Sequence, residues 1–195
     1  MTHFTRILTG LALAAAATVT SHAQDILVVD MNKVYADSKV GKHIASRVQS
    51  LAASDEATLK SQANSLEATG KSLQGQLEGK DMASIRQNAS LTSQITDFQK
   101  RQGKLAQDAQ KKQVELQLTQ AKAQGEVNTR LKSIFDQIAR EKNASAILDK
   151  SAVLYVPNSS SADITNIVVQ RLDSQMTTVA VNRQSIPTQA AQPSR

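Results

Sequence analysis

The chain has 195 residues, with 23 Lys and Arg against 17 Asp and Glu, and a formal net charge of +6. It has no Cys, which excludes disulfides, thiolate metal sites and a cysteine nucleophile. Aromatic residues are only 3% and Trp is absent, too little bulk for a compact core, so composition points to an elongated helical protein.

The first 23 residues have the three-part pattern of a secretory signal. Arg6 supplies the positive start, Ile7 to Ala17 the apolar run, and Ser21-His22-Ala23 the small residues read by a signal peptidase. The run is shorter than the roughly 20 apolar residues of a membrane span. Cleavage after Ala23 is therefore expected, leaving a periplasmic mature chain from Gln24 that carries +5 once Arg6 is gone. No Cys follows the run to accept a lipid.

Ile26-Leu27-Val28-Val29, between Asp25 and Asp30, reads as a buried strand, and Met31 to Ala36 as a helical turn. Ser38 is a helix N-cap. From there Ile44, Val48, Leu51, Leu59, Leu66, Leu73 and Leu77 recur near a heptad. The pattern stops at Gly79-Lys80, and Asp81 caps a second helix. In that helix Leu91, Ile95, Phe98, Gln102, Leu105, Ala109, Lys112 and Leu116 alternate spacings of 4 and 3, and Val127, Leu131, Ile134 and Ile138 continue the apolar face. At about 1.5 Å per residue, Ser38 to Glu78 spans roughly 60 Å and Met82 to Lys142 roughly 90 Å. Two such helices form an antiparallel coiled-coil hairpin.

After Asn143 the period shifts. Ser145 to Leu148 and Ala152 to Val156, around Asp149-Lys150, suggest a β-hairpin. Asp163 caps a last amphipathic helix carrying Ile164, Ile167, Val168 and Leu172. Residues 177–195 have no period and read as a disordered tail. The expected fold is α+β, mainly α. A coiled-coil hairpin, 38–142 with its tip near 79–81, projects from a small β-stranded body built from both chain ends, 24–37 and 143–176. Residues 25–37 and 143–176 amount to 47, and a core that small rarely supplies more than about 3–5 kcal/mol. The open edge at Ala152 to Val156 adds an aggregation hazard. Oligomerisation through the strands answers both, with Ile26, Val28, Val153, Leu154 and Tyr155 as the contact residues.

Ile26-Leu27-Val28-Val29-Asp30-Met31-Asn32-Lys33-Val34, followed by Asp37-Ser38-Lys39-Val40-Gly41-Lys42, resembles the opening of mature Skp (OmpH-like) proteins. Ile147-Leu148-Asp149-Lys150-Ser151-Ala152-Val153-Leu154-Tyr155, then Asp163-Ile164-Thr165 and Leu172, resembles their closing body segment. The resemblance covers about 25–175 and is more specific at the two ends than in the hairpin, because one coiled coil resembles another. It implies a homotrimer with a shared central sheet and three helical tentacles around a cavity. In that cavity, unfolded outer-membrane β-barrel proteins would be held without ATP. The tail beyond Met176 departs from the family pattern.

The residues offer no catalytic constellation and call for no cofactor. His43 is the only His of the mature chain, and a lone helical His is more often solvent-facing than a ligand or base. Gly70-Lys71-Ser72 lacks the upstream glycine and preceding strand of a phosphate-binding loop. Asn88-Ala89-Ser90 and Asn143-Ala144-Ser145 match a glycosylation triplet that is common by chance.

Charge is more informative. Lys60, Lys71, Lys80, Arg86, Lys100, Arg101, Lys104, Lys111 and Lys112 outnumber Glu67, Glu78, Asp81, Asp97 and Asp108, so the distal hairpin holds +4 of the total. Singly each Lys reads as solvated surface; together they raise encounter rates with anionic partners. Unfolded acidic chains and anionic lipid or lipopolysaccharide qualify, whereas export argues against nucleic acid. Gln102, Ala109 and Lys112 in the seam, with Gly70, Gly75, Gly103 and Gly125, mark a soft arm, each glycine costing about 1 kcal/mol relative to Ala. A holdase chaperone is the leading reading. The competing readings are an envelope adaptor acting through coiled-coil docking and a basic lipopolysaccharide binder.

Overall fold

The computed structural model describes residues 25–157 and 160–187; the expected signal, 1–23, lies outside them. The elements run β1 (Asp25–Val29), α1 (Met31–Asp37), α2 (Lys39–Leu77), α3 (Met82–Gln87), α4 (Ala89–Glu141), β2 (Ala144–Asp149), a 3-10 turn (Lys150–Ala152) and α5 (Thr165–Gln175). Among the described residues no helix is long and apolar enough to cross a membrane.

Local chemistry sets the boundaries. The Asp30 side chain accepts from the Lys33 amide, Ser38 from Gly41, Asp81 from Ser84 and Asn88 from Leu91, so each satisfies a helix-start donor. The hairpin turns at Gly79, whose φ of 73° suits a residue without a Cβ. Asn143, just past α4, also takes a positive φ of 50°, the usual exit for Gly or Asn at a helix end. Both glycosylation-like triplets thus begin on residues that shape helix ends.

β1 pairs with β2 in parallel, Leu27 opposite Ile147 and Val28 opposite Leu148. Leu27, Val28 and Val29 are all buried, as expected of a strand covered on both faces. The chain also closes on the other edge of β1. The Val28 amide donates to the Ala162 carbonyl at 2.8 Å, and Ile164 N–H to the Val28 carbonyl at 2.9 Å. β1 is therefore flanked on both sides, while the outer edge of β2 has no strand partner among the described residues.

The core joins Val34, Val40 and Ile44 to Ala123, Val127, Leu131, Ile134 and Ile138 of α4 and to Ile164, Val168 and Leu172. The Tyr35 hydroxyl ties α1 to α4 by donating to Asn128 Oδ1 at 2.7 Å. This core is larger than the two chain ends alone would give, because the base of the hairpin belongs to it. The body thus does not stop at the boundaries of 38–142 drawn from periodicity.

Three further expectations are revised. The second arm is two helices: Asn88 ends α3 and caps α4, where a short polar side chain competes with the helical backbone. The β-hairpin does not form within the chain. Asp149 caps the 3-10 turn by accepting from Ser151, which turns 153–157 away from β2, and Leu154 and Tyr155 stand exposed. The tail is not free along its whole length. Residues 177–187 form no helix or strand, and Val179 to Gln184 lie against the hairpin base, with Val181 6% exposed inside the core. Residues 188–195 lie outside the described residues.

Candidate client-binding arm

Above its base the α2–α4 seam is sparsely filled. Leu66, Leu73 and Leu91 are buried, but Leu59, Leu105 and Leu116 are only half-buried. Small or polar residues at seam positions leave room beside the remaining knobs, since an Ala or Gln does not fill a hole shaped for Leu. The result is two adjoining grooves. One, of about 700 Å³, runs past Ala52, Asp55, Leu59, Ala63, Lys112 and Leu116. The other, of about 660 Å³, runs past Ala63, Leu66, Gly70, Phe98, Gln102 and Leu105. Ala63, Leu105 and Ala109 line both. Gly70 does more than soften α2: a Cβ there would sit 3.3 Å from the Phe98 ring, so the glycine seats that ring in the groove wall.

The cations surround this surface unevenly. Lys60 lines the first groove and Lys71 the second, where Lys71 also pairs with Glu67 at 2.7 Å. Arg101 and Lys104 line a smaller depression of about 370 Å³ with Ser61, Ser65 and Asp108. There Arg101 Nη2 donates to Ser65 Oγ at 3.0 Å, and Lys104 Nζ reaches both Asp108 oxygens. Lys80 and Arg86 are exposed near the tip, and Lys100 is exposed on α4. Lys111 lies 3.8 Å from Glu115. Lys112 differs from the rest: it is half-buried, and its Nζ donates to Asp55 Oδ1 at 2.6 Å. Its charge is committed to a buried carboxylate, so it is set aside as a free binding cation. The structure brings Lys60, Lys71, Arg101 and Lys104 together along the middle of the arm; Lys80 and Arg86 stand apart at its tip.

The expected oligomerisation residues also divide. Ile26 is 54% exposed, Leu154 fully exposed and Tyr155 78% exposed. Val153 is half-buried. Val28, 5% exposed between β2 and the 162–164 segment, is an interior residue and cannot meet a neighbouring copy without opening the body. Leu148, on the outer strand, is 41% exposed.

The model of the family described as outer membrane protein (OmpH-like) matches residues 25–172, the body and the whole arm. The chain belongs to the OmpH-like family. A solved structure described as a candidate OmpH-like outer membrane chaperone, from Caulobacter crescentus CB15, is similar in fold. The TM-score is 0.71 at 21% identity, over 94% of this chain and 98% of that one. No curated protein sequence matches the chain.

The OmpH-like reading rests on both chain ends, and it overlooked the buried charges of the stem. Asp55 is 7% and Glu115 8% exposed. Asp55 accepts from Lys112 and, at 2.9 Å each, from both Nη atoms of Arg183, while Arg183 lies 3.8 Å from Glu115. Burial pushes the Asp55 carboxyl up, but the hydrogen bonds from Lys112 and Arg183 outweigh it and hold the group below the usual carboxylate range. The one sequence signal was an acidic residue on the apolar stripe, between Leu51 and Leu59.

Proposed function

We propose that the chain is an ATP-independent periplasmic holdase. It takes unfolded outer-membrane β-barrel proteins onto its arm and prevents their aggregation in transit to the outer membrane, as a homotrimer assembled through the body. Family membership supports a chaperone role. The observation that carries the finer reading is the pair of adjoining grooves on a net-positive arm. Shallow, adaptable surfaces lined by Leu, Ala, Phe and Lys stems accept many sequences because no single contact decides affinity. Charge then governs encounter, and the apolar lining governs retention. Anionic lipid or lipopolysaccharide is a second class of partner for the same cations.

The test is light scattering of a urea-denatured β-barrel protein diluted with and without the mature chain, paired with stopped-flow association at two ionic strengths. The wild type suppresses scattering. The combined Lys60→Glu, Lys71→Glu, Lys100→Glu and Lys104→Glu variant associates more slowly with an acidic client and shows a weaker salt dependence. Exposed charges are screened beyond about 8–10 Å at physiological salt, so each change alone has little effect. Scattering unaffected by the wild type refutes the holdase. An on-rate indifferent to salt and to the charge reversal refutes electrostatic capture.

A further inference from the structure

The family match ends at residue 172, yet the chain continues past α5 and returns to the arm. From Met176 it climbs the hairpin base between α2 and α4. His43 Nε2 lies 3.2 Å from the Val179 carbonyl, Val181 enters the core, and Arg183 spans Asp55 of α2 and Glu115 of α4. The Gln184 amide donates to Thr119 Oγ1 at 2.9 Å. We infer that residues 177–187 form a releasable strap, an internal occupant of the α2–α4 seam that covers its lower part and yields to an extended apolar segment of an unfolded protein.

Three observations carry this. First, the strap shows what the seam accepts: an extended chain with Val179 and Val181 two residues apart and a cation beyond them. That is the pattern of a β-strand segment, whose alternate side chains share one face. Second, the strap's anchor lies at the end of the open groove. Asp55, which receives Arg183, and Lys112, which also holds Asp55, both line the larger groove. Covered seam and open groove are therefore consecutive parts of one surface. Third, release is chemically permitted. The described strap residues join no sheet, so no backbone ladder must break. When Arg183 leaves, Lys112 still pairs with Asp55 at 2.6 Å, so neither the carboxylate nor the seam is left with an unpaired buried charge there. Segments with few buried contacts and solvent-exposed backbone open at the low end of the stability range.

The client half of this inference rests on the holdase reading, so the experiment needs a readout that does not. The chain has no Cys. Thr119→Cys with Gln184→Cys therefore introduces a single pair, and the contact between their native groups puts it within disulfide reach. The mature double variant, oxidised and then reduced, is titrated with Nile red and with a urea-denatured β-barrel protein. Oxidation is expected to hold the strap shut and so to lower both dye fluorescence and client binding, and reduction to restore both. Arg183→Glu, without cysteines, removes the anchor and should bind dye more strongly and client about threefold to tenfold more tightly than wild type, the factor lost to a site open only about a tenth to a third of the time. Dye and client binding that are the same in oxidised, reduced and Arg183→Glu proteins would overturn the strap. Dye uptake that rises on reduction while no form binds client would uphold the strap as a releasable cover and defeat the holdase reading instead.

Discussion

At Gly41 the demand on a single residue is steric. The corner between α1 and α2 folds so tightly over Ser38 that a Cβ on Gly41 would lie 1.9 Å from the Tyr35 carbonyl oxygen, a backbone atom that cannot swing aside. Gly41→Ala must push α1 away from α2 and disturb the Tyr35 contact to α4. Overpacking of this kind costs about 1–3 kcal/mol, and urea denaturation should show a lower midpoint at unchanged slope. Gly75→Ala, where nothing lies within 4 Å, serves as the control and should stabilise slightly through helix propensity. Ser38 and Asp81 were legible as caps because N-cap chemistry acts within three residues. Asp55 was not, because its partners Lys112 and Arg183 lie 57 and 128 residues away and no local pattern announces them.

Among the elements, the strap links packing to pH. The folded Asp55 carboxyl sits below its ordinary value, so its contribution is fully present above the unfolded carboxylate pKa of about 3.9 and fades as pH falls through the folded value. The strap, in partial opening equilibrium at neutral pH, should loosen further only in strong acid. Arg183→Ala should bring that loosening to neutral pH. A hydrogen bond to a charged group is worth about 1.5–3 kcal/mol, so exchange of the Gln184 amide should speed up by roughly one to two orders of magnitude. Hydrogen exchange of that amide across pH 3 to 7 checks both statements, and equal protection in the two proteins would disprove them. The two long helices were readable from their apolar spacing. The strap was not, because an extended segment held by one buried Val, one Arg and one amide leaves no period. The apolar run at 152–156 misled for the opposite reason. It has strand composition, but the Asp149-capped turn before it redirects the backbone, a choice that periodicity cannot see.

For the whole molecule, the surface left uncovered is the informative part. Leu154 is fully exposed and Tyr155 78% exposed, and the outer β2 edge has no partner among the described residues. Large exposed apolar side chains and an open strand edge are the features that support the homotrimer proposed above. Leu154→Asp with Tyr155→Asp should convert an oligomer to a monomer in sedimentation equilibrium while circular dichroism keeps its helical signal, because both side chains point away from their own core. An unchanged sedimentation mass in the double variant would place the interface elsewhere. The small body inferred from the chain ends gains the base of α2 and five buried α4 side chains, so the case now rests on the exposed edge rather than on a deficient core.

β1 and β2 lie side by side, with Leu27 opposite Ile147, yet 38–142 separates them in the chain. Closing a loop of that length as random coil is slow, since contacts distant in sequence repay their entropy late. The hairpin removes this obstacle. Helical turns near Gly79 form from neighbours, and each further turn of α2 on α4 brings the flanking residues nearer, until the arm delivers the two strands to each other. The arm thus acts as a splint for the sheet: once its two helices lie antiparallel, the span that β1 and β2 must close shrinks from 38–142 to the few residues that join each helix to its strand.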